Sequence, residues 1–411
     1  MLRTAVIALV AAAGAFAPVF AFDGSITQLE PLVVAPFQGN TSPCPPMYYA
    51  APYPINSSGM GMITQGNCLG KCDPGKGDSL FYWKEFSNGF WTKPAASTGA
   101  MPSFKETVNE NPKVPNDCPA TNQLANFKGA FGDPAVVRIG SKVFMAYLKG
   151  NGDWWTGEMW WAVSSDDGVT WSTQTQPLLY PLVHRGHQAH NCGEGFTRLS
   201  LTTTTDASGT WFHAYGTYFH PAREIQPGLL SFVDYRFKYD AANAFGLGNP
   251  KQIWANNQWV NSSGKLVWTY DTSTPPEPGD VKLDPSAVQA SWGGNFFFTQ
   301  SVTRGPNGVY YMLVDDWAIS GDPLTLRTSC DGTNWNSTPL QIDTAMVWNN
   351  YPGKTVVQAA LYYGTRFNNA TQTVQTGFWA ILSLGSWCSS NPYDGSRILP
   401  AKVTMTNTPT C

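Results

Sequence analysis

The stretch that decides the fold runs from residue 131 to residue 199. It opens with FGDPAVVRIGSKVFMAY (131–147), in which an acidic residue heads an apolar strand and a glycine turn leads into an aromatic strand. It continues with WWAVSSDDGVTW (160–171) and ends with GEGFTRL (193–199), where an acidic residue again precedes a strand. The alternation predicts a four-stranded antiparallel unit followed by the start of another, with one carboxylate at the same place in each. Units of this kind, arranged around one axis, would gather their acidic residues at its centre.

The rest of the chain shows the same all-β pattern. Short apolar and aromatic runs recur from residue 127 to the end with turn residues between them, and scarcely any stretch has a helical period. Weak repeats of an acidic residue ahead of a strand occur at Asp78, Asp133, Glu194 and Asp284. An architecture in which small sheets repeat around a central axis can accommodate this many strands and leaves only short, protected sheet edges. With a last unit near the C-terminus, the pattern predicts a β-propeller of five blades.

Composition restricts the class of partner. The 411 residues include 17 tryptophans, while only 13% are charged, and the formal net charge is −3. Such a chain has no basic footprint for nucleic acid or for an anionic membrane surface. We therefore expect neither a nucleic-acid nor a membrane partner, and we expect a monomer.

The N-terminal segment is typical of an export signal. Residues 1–21 combine an early arginine, an apolar run and a small-residue cleavage site. The sequence thus predicts a secreted protein, extracellular or periplasmic, with one domain over residues 22–411 and an irregular, Cys/Pro-rich first blade region over 22–122. Eight cysteines in an oxidising destination favour disulfides. A bond between Cys388 and Cys411 would fix the C-terminal tail.

Two turns match a known rim motif. Residues 164–171 fit the Asp-box pattern Ser-x-Asp-x-Gly-x-Thr-Trp, and residues 329–335 form a degenerate second copy. In such a turn the aspartate side chain bonds turn amides, the glycine adopts a conformation that other residues avoid, and the tryptophan packs beneath. The motif indicates a fold and carries no chemistry, so we exclude Asp166 and Asp331 from the site.

At these residues the sequence resembles the five-bladed β-propeller glycoside hydrolases, the group that contains arabinanases, xylosidases and invertases. The resemblance covers roughly residues 127–335 and is carried by Asp133-Pro134, by Gly193-Glu194-Gly195 and by the closing turns. It implies three carboxylates on successive inner strands, with Asp133 as the tuning carboxylate and Glu194 as the general acid. The family's base should head the first inner strand, and no family motif stands there. Asp78 fits the repeat and is the candidate for that position.

This chemistry can be stated from the residues. Glycosidic cleavage needs one protonated carboxyl at the leaving oxygen and one ionised carboxylate across the sugar. Glu194 would be the protonated group, and Asp78 or Asp133 the ionised one. The competing interpretation is that each acid only caps a strand or a turn, and Asp284 is better explained as a repeat residue or a substrate contact than as a catalyst.

Further residues are candidates for sugar binding. Trp154 and Trp155 beside a glycine-rich turn could stack on sugar rings, whereas Trp160 and Trp161 are expected to be packing residues. His190 could line the pocket and His213 could face the axial channel. The spacing of His184, His187 and His190 resembles a metal site, but it requires a helix where the sequence indicates a loop, so we expect no metal there. The sequence demands no cofactor, although folds of this kind can hold calcium on the axis. Arg198, like Arg138 and Arg185, could bind a carboxylated sugar.

The sequence therefore predicts a secreted glycoside hydrolase that acts on a polysaccharide or oligosaccharide. One alternative is a sialidase-like exo-glycosidase, which would need a cluster of arginines in the site. Another is a non-catalytic carbohydrate-binding propeller, for which an axial channel plugged by apolar side chains would be evidence.

Overall fold

The computed structural model describes residues 22–33, 47–55, 59–67, 78–85, 91–92, 131–150, 157–175, 178, 195–219, 230–255, 258–261, 266–268, 281–283, 299–315, 322–368, 371–387 and 396–411. The export signal predicted for residues 1–21 lies outside this part of the chain. Over the described residues the regular structure is β-strand apart from helix α1 (Ala345–Asn350). None of the helical structure described is long and apolar enough to cross a membrane.

The strands are numbered in chain order. They are β1 (Gly24–Leu29), β2 (Met47–Pro54), β3 (Met60–Asn67), β4 (Asp78–Glu85), β5 (Trp91–Thr92), β6 (Phe131–Ile139), β7 (Lys142–Gly150), β8 (Gly157–Ser164), β9 (Ser172–Thr173), β10 (Gly195–Asp206), β11 (Gly209–Phe219), β12 (Leu230–Tyr239), β13 (Leu247–Ala255), β14 (Gln258–Asn261), β15 (Leu266–Trp268), β16 (Val281–Leu283), β17 (Thr299–Arg304), β18 (Tyr310–Asp315), β19 (Leu324–Ser329), β20 (Leu340–Asp343), β21 (Thr355–Asn368), β22 (Thr373–Gly385) and β23 (Arg397–Met405).

Most strands belong to five antiparallel units in which neighbours in the sheet are also neighbours in the chain. The units are β2–β5, β6–β9, β10–β14, β17–β20 and β21–β23, and we refer to them as units 1 to 5. The sheets of units 2 and 3 are joined by a single β-ladder pair, Phe196 with Gly157. Among the described strands, the short β15 and β16 pair with each other, in parallel, and with no other strand. Because consecutive strands of a unit are neighbours in its sheet, each pair is joined by a turn, which explains the recurring turn signals in the sequence.

The first strands of the five units form a closed ring. β2 contacts β6, β6 contacts β10, β10 contacts β17, β17 contacts β21, and β21 contacts β2 again. The outer strands of each unit extend away from this ring. The units are therefore arranged around one axis, as the repeat pattern predicted, and not as two stacked sheets.

A separate hydrophobic cluster fills each contact between neighbouring units. Side chains alternate between the two faces of a strand, so a sheet packed between two others must be apolar on both. The consecutive residues Trp160 and Trp161 show this directly: Trp160 packs between units 1 and 2, and Trp161 packs between units 2 and 3. They are 9% and 0% exposed. Their prediction as packing residues is confirmed.

At every contact of the ring, a backbone amide of an inner strand donates a hydrogen bond to a side chain of the neighbouring unit. Where two inner strands do not share a ladder, a buried N–H of one strand needs an acceptor, and a side chain of the neighbouring unit supplies it. The donor and acceptor pairs are Asp133 N to Gln65 Oε1 (2.8 Å), Arg198 N to Asp133 Oδ2 (2.7 Å), Val302 N to Ser200 Oγ (2.8 Å), Leu361 N to Ser301 Oγ (2.9 Å) and Ala50 N to Gln358 Oε1 (2.8 Å).

Strand β1 lies between the outermost strands of units 4 and 5 and joins their sheets. The sequence placed residues 22–122 in one irregular first sheet, but β1 pairs antiparallel with β23 and parallel with β20, so it belongs with units 5 and 4. The carboxylate of Asp23 accepts hydrogen bonds from Gln341 N at 3.0 Å and from Asn407 Nδ2 at 2.9 Å. Within the described part of residues 22–122, unit 1 is an ordinary antiparallel sheet.

The disulfide prediction for the C-terminus was wrong in its partner. Cys411 bonds Cys330, in the turn after β19, and not Cys388. The tail leaves β23 at Met405 and passes the outer edge of unit 4, where Asn307 Nδ2 donates to Pro409 O at 2.7 Å. The tail is therefore fixed to the neighbouring unit, which sequence spacing alone could not indicate.

Candidate active site

Three residues occupy equivalent positions near the beginning of three inner strands. Tyr49 in β2, Asp133 in β6 and Arg198 in β10 are each the first residue of a two-residue bulge. Each has a positive φ, of 51°, 44° and 55° respectively. This conformation is uncommon for residues other than glycine, costs about 1–3 kcal/mol, and clusters at functional sites. Its repetition on adjacent strands marks this level of the ring as a candidate site.

Asp133 and Arg198 form a buried ion pair at this level. Asp133 Oδ1 lies 3.2 Å from Arg198 Nη1, and Asp133 Oδ2 accepts the bond from Arg198 N. The side chains are 7% and 5% exposed. A carboxylate that accepts two donors, one of them charged, is favoured in its ionised form. The sequence proposed both residues for the site, and the structure brings them together.

The ion pair extends into a layer that crosses the ring. The guanidinium carbon of Arg198 lies 4.1 Å from the centre of the Tyr49 ring, and Tyr49 packs against Val357 of β21. Unit 2 lies between units 1 and 3, so the contact between Arg198 and Tyr49 spans the axis. We call Tyr49, Asp133, Arg198 and Val357 the axial layer.

A cavity of about 220 Å³ lies on one side of the axial layer. In β2, β6, β10 and β21 its lining consists of residues that follow the axial-layer residue of each strand, and β17 supplies the remainder. The inner strands therefore run in the same direction and begin at the same end, which we call the leading end. Ser200, Thr202, Ser301 and Gln358 contribute polar groups to the lining. The lining of this cavity therefore includes polar groups beside its apolar side chains.

Several predicted site residues lie outside the described residues. They are Glu194, Trp154, Trp155, His190 and Asp284, together with His184, His187 and Arg185. For Glu194 the backbone of the next residue is informative, because Gly195 begins β10 at the leading end. The described strand β10 therefore begins on the same side of the ring as β6.

The repeat alignment of the acidic residues needs a correction. The sequence placed Asp133 and Glu194 at the same position in successive units, but the bulges align Asp133 with Arg198, four residues beyond Glu194. A bulge inserts one residue into a strand without a clear sequence signal, so the motif Gly-Asp-Pro was matched to the wrong part of the next unit.

Asp78 is not placed as the repeat suggested. It begins β4, the third strand of unit 1, and the inner strand of that unit is β2. The expectation that Asp78 heads an inner strand is therefore wrong. The residue of unit 1 that lies at the level of Asp133 is Tyr49.

His213 also differs from its expected placement. It is 1% exposed, its Nε2 lies 2.8 Å from Thr204 Oγ1, and its Nδ1 lies 3.2 Å from Asp234 Oδ1. These residues lie away from the axial cavity, with the ring of Trp259 edge-on to that of His213 at 5.2 Å. Burial raises the pKa of Asp234 above its usual value, and the neighbouring His213 opposes that rise. The orientation of His213 towards the channel was wrong because the sheet face that it occupies is covered by unit 4.

The arginines expected of a sialidase-like site do not converge in the described part of the chain. Arg138 lies at the far end of β6, where its Nη1 bonds Asp167 Oδ1 at 2.5 Å. Arg198 is engaged in the axial layer at the other end of the inner strands. Among the described residues there is also no group of three His, Cys, Asp or Glu side chains that could hold a metal ion.

The two aspartate turns lie between the third and fourth strands of units 2 and 4. In the first, Asp166 Oδ1 accepts from Thr170 N at 2.8 Å and Gly168 has a φ of 88°. In the second, Asp331 Oδ1 accepts from Thr333 N at 2.8 Å and Gly332 has a φ of 79°. The hydrogen bonds to these carboxylates lower the pKa of Asp166 and of Asp331, against the opposing effect of burial. Both side chains are used within their own turns, away from the axial layer.

Sequence comparison gives no family assignment, since no protein-family model and no curated protein matches this chain. Comparison with solved structures does find matches. One is Zg3597, a family 117 glycoside hydrolase from the marine bacterium Zobellia galactanivorans, with a TM-score of 0.51 and 9% identity over 93% of this chain and 91% of that one. This chain has a β-propeller-like fold. At such low identity the likeness concerns the fold alone.

Two further structures have lower scores. A protein described as a glycoside hydrolase has a TM-score of 0.49 and 10% identity, with 94% of each chain covered. A thermostable family-43 glycoside hydrolase has a TM-score of 0.44 and 11% identity, over 90% of this chain and 98% of that one. Glycoside hydrolases with propeller folds thus recur among the structural neighbours.

Proposed function

We propose that this protein is a secreted, monomeric, five-bladed β-propeller that hydrolyses a glycosidic bond in a polysaccharide or oligosaccharide. The closed ring of five inner strands supports the blade count, and the two aspartate turns are then Asp boxes between outer strands. The observation that carries the function is the buried Asp133–Arg198 pair at the leading end of the ring. The charged partner Arg198 supports an ionised state of Asp133, and Glu194 is the residue that directly precedes β10 in the sequence.

In the proposed mechanism Glu194 is the general acid. It would donate a proton to the oxygen of the leaving group as the glycosidic bond breaks, while an ionised carboxylate stabilises the positive charge that develops on the sugar. Water then adds to the anomeric carbon and returns a proton to the Glu194 carboxylate. Asp133 fits the second role because Arg198 holds it charged and its bulge fixes its position. We leave Asp78 out of the proposed machinery, since it begins a third strand. Trp154, Trp155, His190 and Asp284 remain our candidates for contacts with the sugar.

The test is hydrolysis of a panel of polysaccharides by the wild-type protein and by Glu194→Gln. The variant keeps the size of the side chain and removes its acidic proton, so we expect loss of hydrolysis with little change in thermal unfolding. Glu85→Gln is the matched control, because Glu85 ends β4 on the side away from the leading end. Unchanged hydrolysis by Glu194→Gln would remove this residue as the acid. Binding of a glycan without hydrolysis by the wild type would instead favour a binding propeller.

A further inference from the structure

A second group of residues at the leading end has the character of an anion site. It consists of Lys354, Trp387 and Arg397, which we call the basic cluster. Lys354 directly precedes β21, Trp387 follows the end of β22, and Arg397 begins β23. The register pairs Thr355 with Gly385 and Leu384 with Arg397, so all three residues lie at the end of unit 5 where its inner strand begins.

The indole ring of Trp387 makes cation–π contacts with both Lys354 and Arg397. The Nζ atom of Lys354 lies 3.9 Å from the centre of the Trp387 ring, and the guanidinium carbon of Arg397 lies 4.3 Å from it. The indole Nε1 of Trp387 donates to Leu384 O at 3.2 Å, and Lys354 Nζ donates to Ser386 O at 2.8 Å. Cations over an aromatic ring are oriented before any ligand arrives, which lowers the entropic cost of binding.

Among the described residues the basic cluster has no carboxylate partner. Within the described part of the chain neither Lys354 nor Arg397 lies within ion-pair distance of a carboxylate, whereas Arg138, Arg198 and Arg236 each do. Burial and the neighbouring Arg397 lower the pKa of Lys354 from its usual value. Two like charges therefore share one aromatic ring, and an anion placed against both would relieve their repulsion.

We propose that the basic cluster binds an anionic sugar, through a carboxylate or a sulfate ester on its ring. The planar guanidinium of Arg397 presents paired N–H donors that match either group, and Lys354 adds a point charge beside it. This inference rests on the proposed function and specifies it: the substrate is an acidic polysaccharide whose charged unit occupies unit 5 while the bond to be cleaved lies at the axial layer.

The experiment compares binding of three soluble polysaccharides by affinity electrophoresis: a polyuronate, a sulfated galactan and a neutral galactan. The double variant Lys354→Met/Arg397→Met removes both charges and leaves an unbranched apolar side chain at each position. We expect at least about a tenfold weaker binding of one acidic probe and no change for the neutral one. Whichever acidic probe responds identifies the anionic group.

The matched control is Lys142→Met/Arg304→Met. It makes the same change in net charge at the opposite end of the inner strands, where β7 begins and β17 ends. An equal loss of binding in this control would show a general charge effect and overturn the site, as would an acidic probe that binds no better than the neutral one. Thermal unfolding of each variant checks that it is folded.

A failure of this inference can be told apart from a failure of the proposed function. If the wild type hydrolyses a polysaccharide but binds the acidic probes no better than the neutral one, the site is refuted and the hydrolase stands. If the wild type retains an acidic probe through the basic cluster but cleaves nothing, the site stands and the hydrolase is refuted. Glu194→Gln should retain the acidic probe with wild-type affinity.

Discussion

Asp133 and Arg198 are each almost completely withdrawn from solvent, and each has the other as a charged partner. Breaking such a pair leaves one charge buried without compensation, which costs about 3–5 kcal/mol. We expect Arg198→Met to lower the free energy of unfolding by that amount in urea titrations. The double variant Asp133→Asn/Arg198→Met should recover part of the loss, because it removes the stranded charge as well. Additive losses would show that the two side chains do not interact.

Asp234 provides a second prediction at the scale of the residue, in the dependence of stability on pH. Its pKa in the folded protein is raised above 3.8 by burial, so the folded state binds more protons than the unfolded state between 3.8 and the raised value. The contribution of Asp234 to the free energy of unfolding therefore falls as the pH rises through this range. It is constant at higher pH.

The measurement is urea unfolding of the wild type and of Asp234→Asn over a series of pH values. The variant has no carboxyl to titrate, so the difference in stability between the two proteins should change across the window above 3.8 and be flat beyond it. A difference that is independent of pH would contradict the raised pKa.

At this scale the sequence indicated some residues and missed others. Asp133 and Arg198 were singled out from an acidic strand head and from a residue type that suits carboxylates, and both lie in the axial layer. Tyr49 could not be found in this way, since a tyrosine in an aromatic-rich strand looks like a packing residue. Lys354 and Arg397 are 43 residues apart in the chain and become neighbours only through the register of β21, β22 and β23.

Among the elements, the aspartate turns show how a short motif fixes a local structure. In residues 164–171 the Asp166 carboxylate accepts from Thr170 N and Thr170 Oγ1, Ser164 Oγ accepts from Gly168 N, and Trp171 Nε1 donates to Gly168 O. These contacts are local in sequence, so residue order alone could specify them. The bulges of the inner strands have no such local mark, and the acidic repeats were consequently aligned four residues out of register.

Asp166→Ala removes the acceptor at the centre of the first turn. We expect a loss of about 1–2 kcal/mol in the free energy of unfolding, because donors such as Thr170 N lose a charged partner at a partly exposed site. The lowered pKa of Asp166 means that this stabilisation is present above 3.8 and is lost as the pH falls below it. Hydrolytic activity should be unchanged, and a loss of activity in a fully folded variant would show that the turn affects the site.

For the whole molecule, closure of the ring depends on residues distant in sequence. β1 supplies a strand to the last unit, and Cys411 ties the tail to the turn after β19 across a sequence separation of 81 residues. The sequence could predict a radial architecture from the number of strands and the turns between them. It could not predict the position of β1, because both strands with which β1 pairs, β20 and β23, are more than 300 residues away in the sequence.

The disulfide should contribute to the stability of the closed ring. Cross-linking residues that are far apart in sequence restricts the unfolded chain, and a bond of this kind typically stabilises by about 2–4 kcal/mol. We expect Cys411→Ser and Cys330→Ser to lower the unfolding midpoint equally, and the double variant to be no less stable than either single one. Unequal single variants would indicate that one cysteine has another partner.

The position of β1 has a practical consequence for engineering. The backbone carbonyl of Asp23 accepts hydrogen bonds from the amides of Thr406 and Asn407, at 2.8 and 3.1 Å, so the two extremities of the described chain run side by side. A short peptide linker could join them, and the polypeptide could then be opened at a surface hairpin such as Gly140-Ser141. A circularly permuted protein of this kind would keep all the contacts of the ring, including the pairing of β1 with β20 and β23. Closure of the ring would then no longer depend on that non-covalent pairing alone, because a peptide linker would connect β1 to β23.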